Sequence, residues 1–153
     1  MPTINKISAE IVIDGTQKSV FSAVTNWTSQ HNWIFATKVK SVGDGSHKIG
    51  GKLEAFTGIG SIGFLDTMTI TKWVPPSVCE VTHTGKVLKG AGLFEVVIIN
   101  NKTYFIWTEY AKIPFGILGK IGWYIIYPIM KLLLLLSLRR FRRYYITLST
   151  SNI

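Results

Sequence analysis

Asp66, His83 and Glu109 are the residues of this chain whose types and placement could do chemistry together. A carboxylate beside an imidazole can act as base and acid on a bound molecule, and the same groups can anchor the polar end of a ligand. The plainer alternative is that the three satisfy one another, or pair with a cation, in a buried polar patch.

Strand alternation is what places them on one face. With Pro75-Pro76 as a turn, Phe64, Asp66, Met68 and Ile70 line one side of a hairpin, and Cys79, Val81 and His83 line the matching side. The alternate set holds Thr67, Thr69, Thr71, Glu80 and Thr82, so the first set faces inward. Asn100-Asn101 as a two-residue turn pairs Ile99 with Lys102, sets Phe94 opposite Trp107, and sets Gly92 opposite Glu109. Asp66 and His83 then sit on adjacent strands, within reach of each other. Glu109 is expected apart from His83, because another strand lies between theirs.

Apolar side chains can complete a pocket around these groups. Trp33, Phe35, Phe56, Phe64, Phe94, Trp107, Trp123 and Tyr127, with Met68 and Met130, are the candidates for lining a site for an apolar molecule. Most aromatic residues in any chain are simply core, and about half of these eight are expected to be that. His31 and His47 stand without metal-ligand spacing, Cys79 stands alone, and no Ser-His-Asp order, phosphate loop or paired-cysteine motif is present. No metal site, cofactor or committed catalytic set is expected. His83, Asp66 and Glu109 are the weak candidates for catalysis.

The elements that position these residues follow from turn chemistry. Ile7–Asp14 reads as a strand, Gln17–Val24 as a short helix after a cap near Thr16, and Thr28 or Ser29 as the cap of a second short helix. Six strands are expected at Thr37–Val42, Lys52–Gly58, Phe64–Val74, Val78–Thr84, Leu93–Ile99 and Thr103–Lys112, in meander order. Gly43-Asp44-Gly45, Gly50-Gly51, Gly60-Ser61, Pro75-Pro76, Gly85, Gly90 and Asn100-Asn101 separate them. Residues 113–122, with Pro114 and three glycines, read as a flexible approach, a lid or hinge.

From Ile121 to Leu138 the chain is apolar except for Lys131 and Ser137, and Arg139-Arg140-Phe141-Arg142-Arg143 closes the run. That length is near the ~18-residue lower limit for crossing a bilayer. Against a crossing, Lys131 falls near the middle, and Lys120, Lys131 and Arg142 recur at a spacing that puts them on one helical stripe. The expectation is a long, mostly buried helix of a globular fold, with Trp123, Tyr127, Met130, Leu134 and Phe141 along one side. A strongly curved seven-stranded antiparallel sheet can hold such a helix in its concave face. The flanking leucines, Leu132, Leu133, Leu135 and Leu136, are left to meet a ligand, a membrane surface or a dimer partner.

Composition agrees with a single domain over residues 1–153. The 47% hydrophobic and 16% charged residues are too apolar for disorder. The net charge of +9 suits anionic lipid or an acidic ligand. Scattered cations without a recognised nucleic-acid motif argue against nucleic acid. A lone cysteine and a start without the plan of a signal peptide point to the cytoplasm.

Several strings carry a resemblance over essentially the whole chain: Trp73-Val74-Pro75-Pro76 with His83-Thr84-Gly85, the glycine-rich entry to Phe94-Glu95-Val96, and Trp107-Thr108-Glu109. Pro114-Phe115-Gly116-Ile117-Leu118-Gly119 leads on through Gly122-Trp123 and Pro128 to Arg139-Arg140-Phe141. The sequence resembles the START/Bet v 1-like (SRPBCC) superfamily, in particular its polyketide cyclase/dehydrase and lipid transport-type members. The resemblance implies an α+β helix-grip fold with a hydrophobic-ligand cavity between sheet and C-terminal helix, and chemistry in only some members. The functions it leaves open are binding or transport of a lipid, polyketide or isoprenoid-like molecule, an aromatase/cyclase-like enzyme, or a membrane- or ribosome-associated interaction module. Partners expected beyond the ligand are a membrane surface, met peripherally through Arg139, Arg140, Arg142 and Arg143, and a second copy through the C-terminal helix.

Overall fold

A computed structural model describes residues 3–44, 46–113 and 115–151. The order is β1 (Thr3–Ile13), α1 (Gln17–Val24), a 3-10 segment (Trp27–Asn32), β2 (Thr37–Val42), β3 (Lys52–Ile59), β4 (Ile62–Val74), β5 (Val78–His83), β6 (Gly90–Ile99), β7 (Lys102–Ile113) and α2 (Gly116–Ser151). The seven strands form one antiparallel sheet in the order β1-β7-β6-β5-β4-β3-β2. This is the expected helix-grip architecture.

Local chemistry explains the joints. The Thr16 side chain accepts a hydrogen bond from the Ser19 backbone N–H at 3.1 Å and so caps α1. Asn100 and Asn101 adopt φ of 50° and 62°, the mirror-image turn whose twist suits a two-residue hairpin. Ile99 accordingly pairs with Lys102, Phe94 with Trp107 and Gly92 with Glu109. The β4–β5 hairpin reaches its inner register by a different route. Val74 pairs with Val78, which gives a three-residue turn, and a bulge between Ile70 and Lys72 restores the pairing of Ile70 with Val81 and Met68 with His83. Because the bulge reverses the alternation, Trp73 also turns inward, onto Phe21 and Trp27.

The core is aromatic at its centre. Trp33 is fully buried, with its ring centroid 5.0 Å from that of Phe141 and 5.9 Å from those of Phe105 and Trp107. Phe141 belongs to α2, so this cluster joins the helix to the inner faces of β6 and β7. The Tyr145 hydroxyl shares a hydrogen bond with Ser19 Oγ at 2.5 Å, which ties the same half of α2 to α1.

Two expectations about the last third need correcting. Helix α2 begins at Gly116, so most of the stretch read as a flexible approach is its first turns; Pro114 lies outside the described residues. The helix is also less buried than expected. Leu134, Ser137, Leu138, Phe141 and Tyr145 are its buried residues, all in the second half. It packs mainly on β1 and touches β7 and the 3-10 segment. From Phe115 to Ile129 only Gly119, Gly122 and Trp123 are even half-buried, and their spacing continues the inward stripe toward Met130 and Leu134. Of the flanking leucines, Leu132 and Leu135 are exposed, while Leu133 and Leu136 are half-buried. By length and composition α2 is long and apolar enough to cross a membrane, with a mean hydropathy of 1.8 over a window that is 17% buried.

Candidate functional site

Asp66, on β4, is inward and 3% exposed, between the inner residues Phe64 and Met68. His83 ends β5 and is paired in register with Met68, one inner position along from Asp66. Its Nδ1 donates to Asp66 Oδ2 at 2.5 Å, and its Nε2 donates to Glu109 Oε2 at 3.2 Å. Glu109 Oε1 in turn accepts from the Trp107 indole N–H at 2.6 Å. The three ionisable residues therefore converge, Glu109 included.

Glycines make this convergence feasible. Strand β6 separates β5 from β7, and the β6 residue directly opposite Glu109 is Gly92. A Cβ at Gly92 would fall 3.0 Å from Glu109 Oε1, so the missing side chain is the space through which the carboxylate reaches His83. A Cβ at Gly85 would lie 2.6 Å from Asp66 Oδ1, so the backbone after β5 closes down on the other carboxylate in the same way. Both glycines are visible in the sequence, and a glycine inside a strand pattern marks a close approach. What crosses the gap is decided only by the register.

Burial alone disfavours charge on His83, but its hydrogen bonds to Asp66 and Glu109 and their negative charges outweigh it, raising its pKa from 6.5 to about 10. At neutral pH the cluster is an imidazolium held between two carboxylates. Both ring nitrogens are engaged as donors, so the imidazole has no lone pair with which to take a proton from a substrate. The two carboxylates differ in what can reach them. Asp66 Oδ1 is buried with no hydrogen-bond partner among the described residues, and Glu109 keeps about a fifth of its side chain exposed.

The other candidates divide. Met68, Phe94 and Trp107 lie on the same inner face, with Phe94 and Trp107 in edge-to-face contact at 5.4 Å. Phe64 is half-buried on that face toward the β3–β4 turn. Trp123 and Met130 pack against the core from α2, and Tyr127 stacks edge-on with Trp123 while remaining exposed. Trp33 is sealed in the aromatic core. Phe56 is placed elsewhere: it pairs with the outward Leu65, on the opposite side of the sheet from Ala55 and Asp66. Phe35 is exposed, with the Arg140 guanidinium 6.0 Å above its ring and its backbone N–H donated to Ser137 Oγ.

Cys79 is buried, and burial, assisted by the charge of Glu80, pushes its thiol up to about 12, which makes it unreactive. Among the described residues, no cluster of His, Cys, Asp and Glu has an arrangement able to hold a metal ion. A surface groove of about 570 Å³ lies at the other end of the sheet, between α1 and the Pro75-Pro76 turn, lined by Phe21, Trp73 and His47 among others. It holds no buried charged group. The concave face beside His83 carries the distinctive chemistry.

No protein-family model matches the chain, and no curated protein matches it. Solved structures do. A protein of Thermus thermophilus superimposes with a TM-score of 0.78 at 9% identity, over 95% of this chain and 99% of its own. The di-domain aromatase/cyclase StfQ of the steffimycin biosynthetic pathway gives 0.75 at 8% identity, over 96% of this chain and 52% of its own. A conserved protein of Geobacillus kaustophilus gives 0.69 at 18% identity, over 94% and 96%. At such identities the likeness is one of fold: a helix-grip domain of the kind found in an aromatase/cyclase and in conserved proteins of unassigned activity.

Proposed function

We propose that this protein, a START/Bet v 1-like domain of the polyketide cyclase/dehydrase and lipid transport type, binds and carries a hydrophobic small molecule. The molecule lies against the concave face of the sheet, beneath the first half of α2. Its apolar body meets Phe64, Met68, Phe94, Trp123 and Met130, and a hydroxyl or other donor at its polar end meets Glu109, the exposed carboxylate of the cluster. The observation that carries this reading is the inward carboxylate–imidazolium–carboxylate cluster, whose Glu109 keeps about a fifth of its side chain exposed. A lipid, polyketide or isoprenoid-like molecule fits that description, as does the fold shared with StfQ. Catalysis by His83 is the weaker reading, because both of its nitrogens are committed.

Native mass spectrometry and organic extraction of the purified protein test the proposal, together with titration of an apolar fluorescent probe. A retained apolar molecule, or saturable probe binding weakened by Glu109→Gln and by Phe94→Ala, is the expected result. Absence of any retained molecule and of any saturable probe binding overturns it.

A further inference from the structure

The antiparallel register gathers three connections at one end of the sheet. Strands β3, β5 and β7 all run toward that end, where Ile59 pairs with Ile62, Gly90 follows the β5–β6 loop opposite Ala111, and Thr3 pairs with Ile113. Apolar side chains stand at each tip. Ile59 and Ile62 are 82% and 83% exposed on the β3–β4 turn, Val87 is 62% exposed on the β5–β6 loop, and Phe115 is 82% exposed where β7 leads into α2. The first half of α2 continues the surface, with Leu118, Ile121, Ile125 and Ile129 all exposed. Exposed apolar groups gathered in this way mark an interaction surface rather than ordinary scatter.

Charge identifies what the surface meets. No Asp or Glu occurs from Tyr110 to Ile153, whereas Lys112, Lys120, Lys131, Arg139, Arg140, Arg142 and Arg143 do. The β3–β4 turn and the β5–β6 loop likewise lack acids, and Lys86 and Lys89 lie on the loop. An apolar face rimmed only by cations complements an anionic bilayer, whose headgroups attract the lysines while the acyl region takes the apolar tips. A second copy of the chain would bring the same lysines against each other. A crossing is also disfavoured: the stretch from Phe115 to Ile129 is about 22 Å of helix, against roughly 30 Å of hydrocarbon, and beyond it the helix is engaged with the sheet. Lys131 is already committed to the Ser8 carbonyl.

We propose that this end of the sheet and the first half of α2 form a docking surface for an anionic lipid bilayer, inserting Ile59, Ile62, Phe115 and Leu118 and setting Lys112 and Lys120 among the headgroups. The surface is distinct from the Arg139–Arg143 cluster, which lies on the half of α2 held by the sheet. It also stands independently of the ligand reading, since vesicle binding is measured without any ligand.

Co-sedimentation of the full chain with phosphatidylcholine vesicles, with and without phosphatidylserine, tests the proposal. Binding to the anionic vesicles is expected to weaken with salt. It is expected to fall about tenfold or more in Leu118→Glu with Ile62→Glu, and by a similar factor in Lys112→Glu with Lys120→Glu. All four positions are exposed, and unchanged melting temperatures confirm that the variants remain folded. Equal binding by wild type and both variants overturns the proposal. So does binding lost only in Arg139→Glu with Arg143→Glu, or retention in membranes after alkaline carbonate washing, which indicates a crossing. A dimer in solution that Leu118→Glu dissociates, without vesicle binding, assigns the surface to a second copy instead.

Discussion

Glu109 on β7 bonds His83 on β5 across the intervening strand, at 3.2 Å, through the space left by the missing side chain of Gly92. A carboxylate two strands away is ordinarily out of reach of an imidazole, so one glycine converts a pair into a cluster of three.

Gly92→Ala tests that relationship. The added Cβ falls 3.0 Å from Glu109 Oε1, so the carboxylate must shift by a few tenths of an ångström, which weakens its bond to His83 and leaves Asp66 as the main partner. The expected outcome is a lower His83 pKa, read by NMR titration of the imidazole, and a stability loss of about 1–3 kcal/mol. An unchanged titration would show that Glu109 does not depend on the gap.

The pH dependence of stability follows from the same cluster. The His83 pKa is about 10 in the folded chain, against 6.5 for an unperturbed histidine, so the folded protein holds the proton more tightly. The stabilisation is present in full below about 6.5 and is lost as pH rises toward about 10, on the order of a few kcal/mol. Melting temperatures measured between pH 6 and pH 10 are expected to fall. His83→Gln, less stable at pH 6, is expected to show a shallower fall. Parallel curves for the two proteins would contradict this.

The two halves of α2 differ in what mutation does to them. Phe141 is fully buried against Trp33 and Phe105, and Phe141→Ala is expected to cost about 3–5 kcal/mol in denaturant unfolding. Ile125→Ser, at an exposed position on the same helix, is expected to change stability by about 0.5 kcal/mol or less. Hydrogen exchange gives an independent measure, with amides before Met130 exchanging sooner than those after Leu134.

Cys79 provides a probe of global opening. Its thiol is buried and pushed up to about 12, so a thiol reagent is expected to label the native protein at least about a hundredfold more slowly than the urea-unfolded chain. Comparable rates would place Cys79 at an accessible, reactive position.

Much of the fold was legible because strand alternation and turn residues are local. Asn100-Asn101 specifies its turn, the turn specifies the register, and the register puts Phe94, Trp107 and Glu109 on one face. The β4–β5 hairpin was legible for a less direct reason: the extra turn residue and the bulge near Thr71 cancel, leaving His83 beside Met68 as alternation suggested. Phe56 and Phe35 were misleading because an aromatic residue looks the same in sequence whichever face of a strand it occupies. Only pairing with the outward Leu65 and contact with Arg140 reveal where they lie.

Element order, the inward set on β4 to β7 and the apolar inward stripe of α2 were all present in the amino-acid order, since each depends on periodicity within a single segment. Two further features came from packing, which periodicity does not encode. Glu109 joins His83 because a glycine on the strand between theirs leaves room. One half of α2 is covered and the other is largely bare because the sheet and the core cluster around Trp33 engage mainly the later turns, with Trp123 the chief contact of the earlier ones. Ile121 to Leu138 is apolar on nearly every face, so its composition is the same whether protein covers it or nothing does, and only the partner surface distinguishes the two halves.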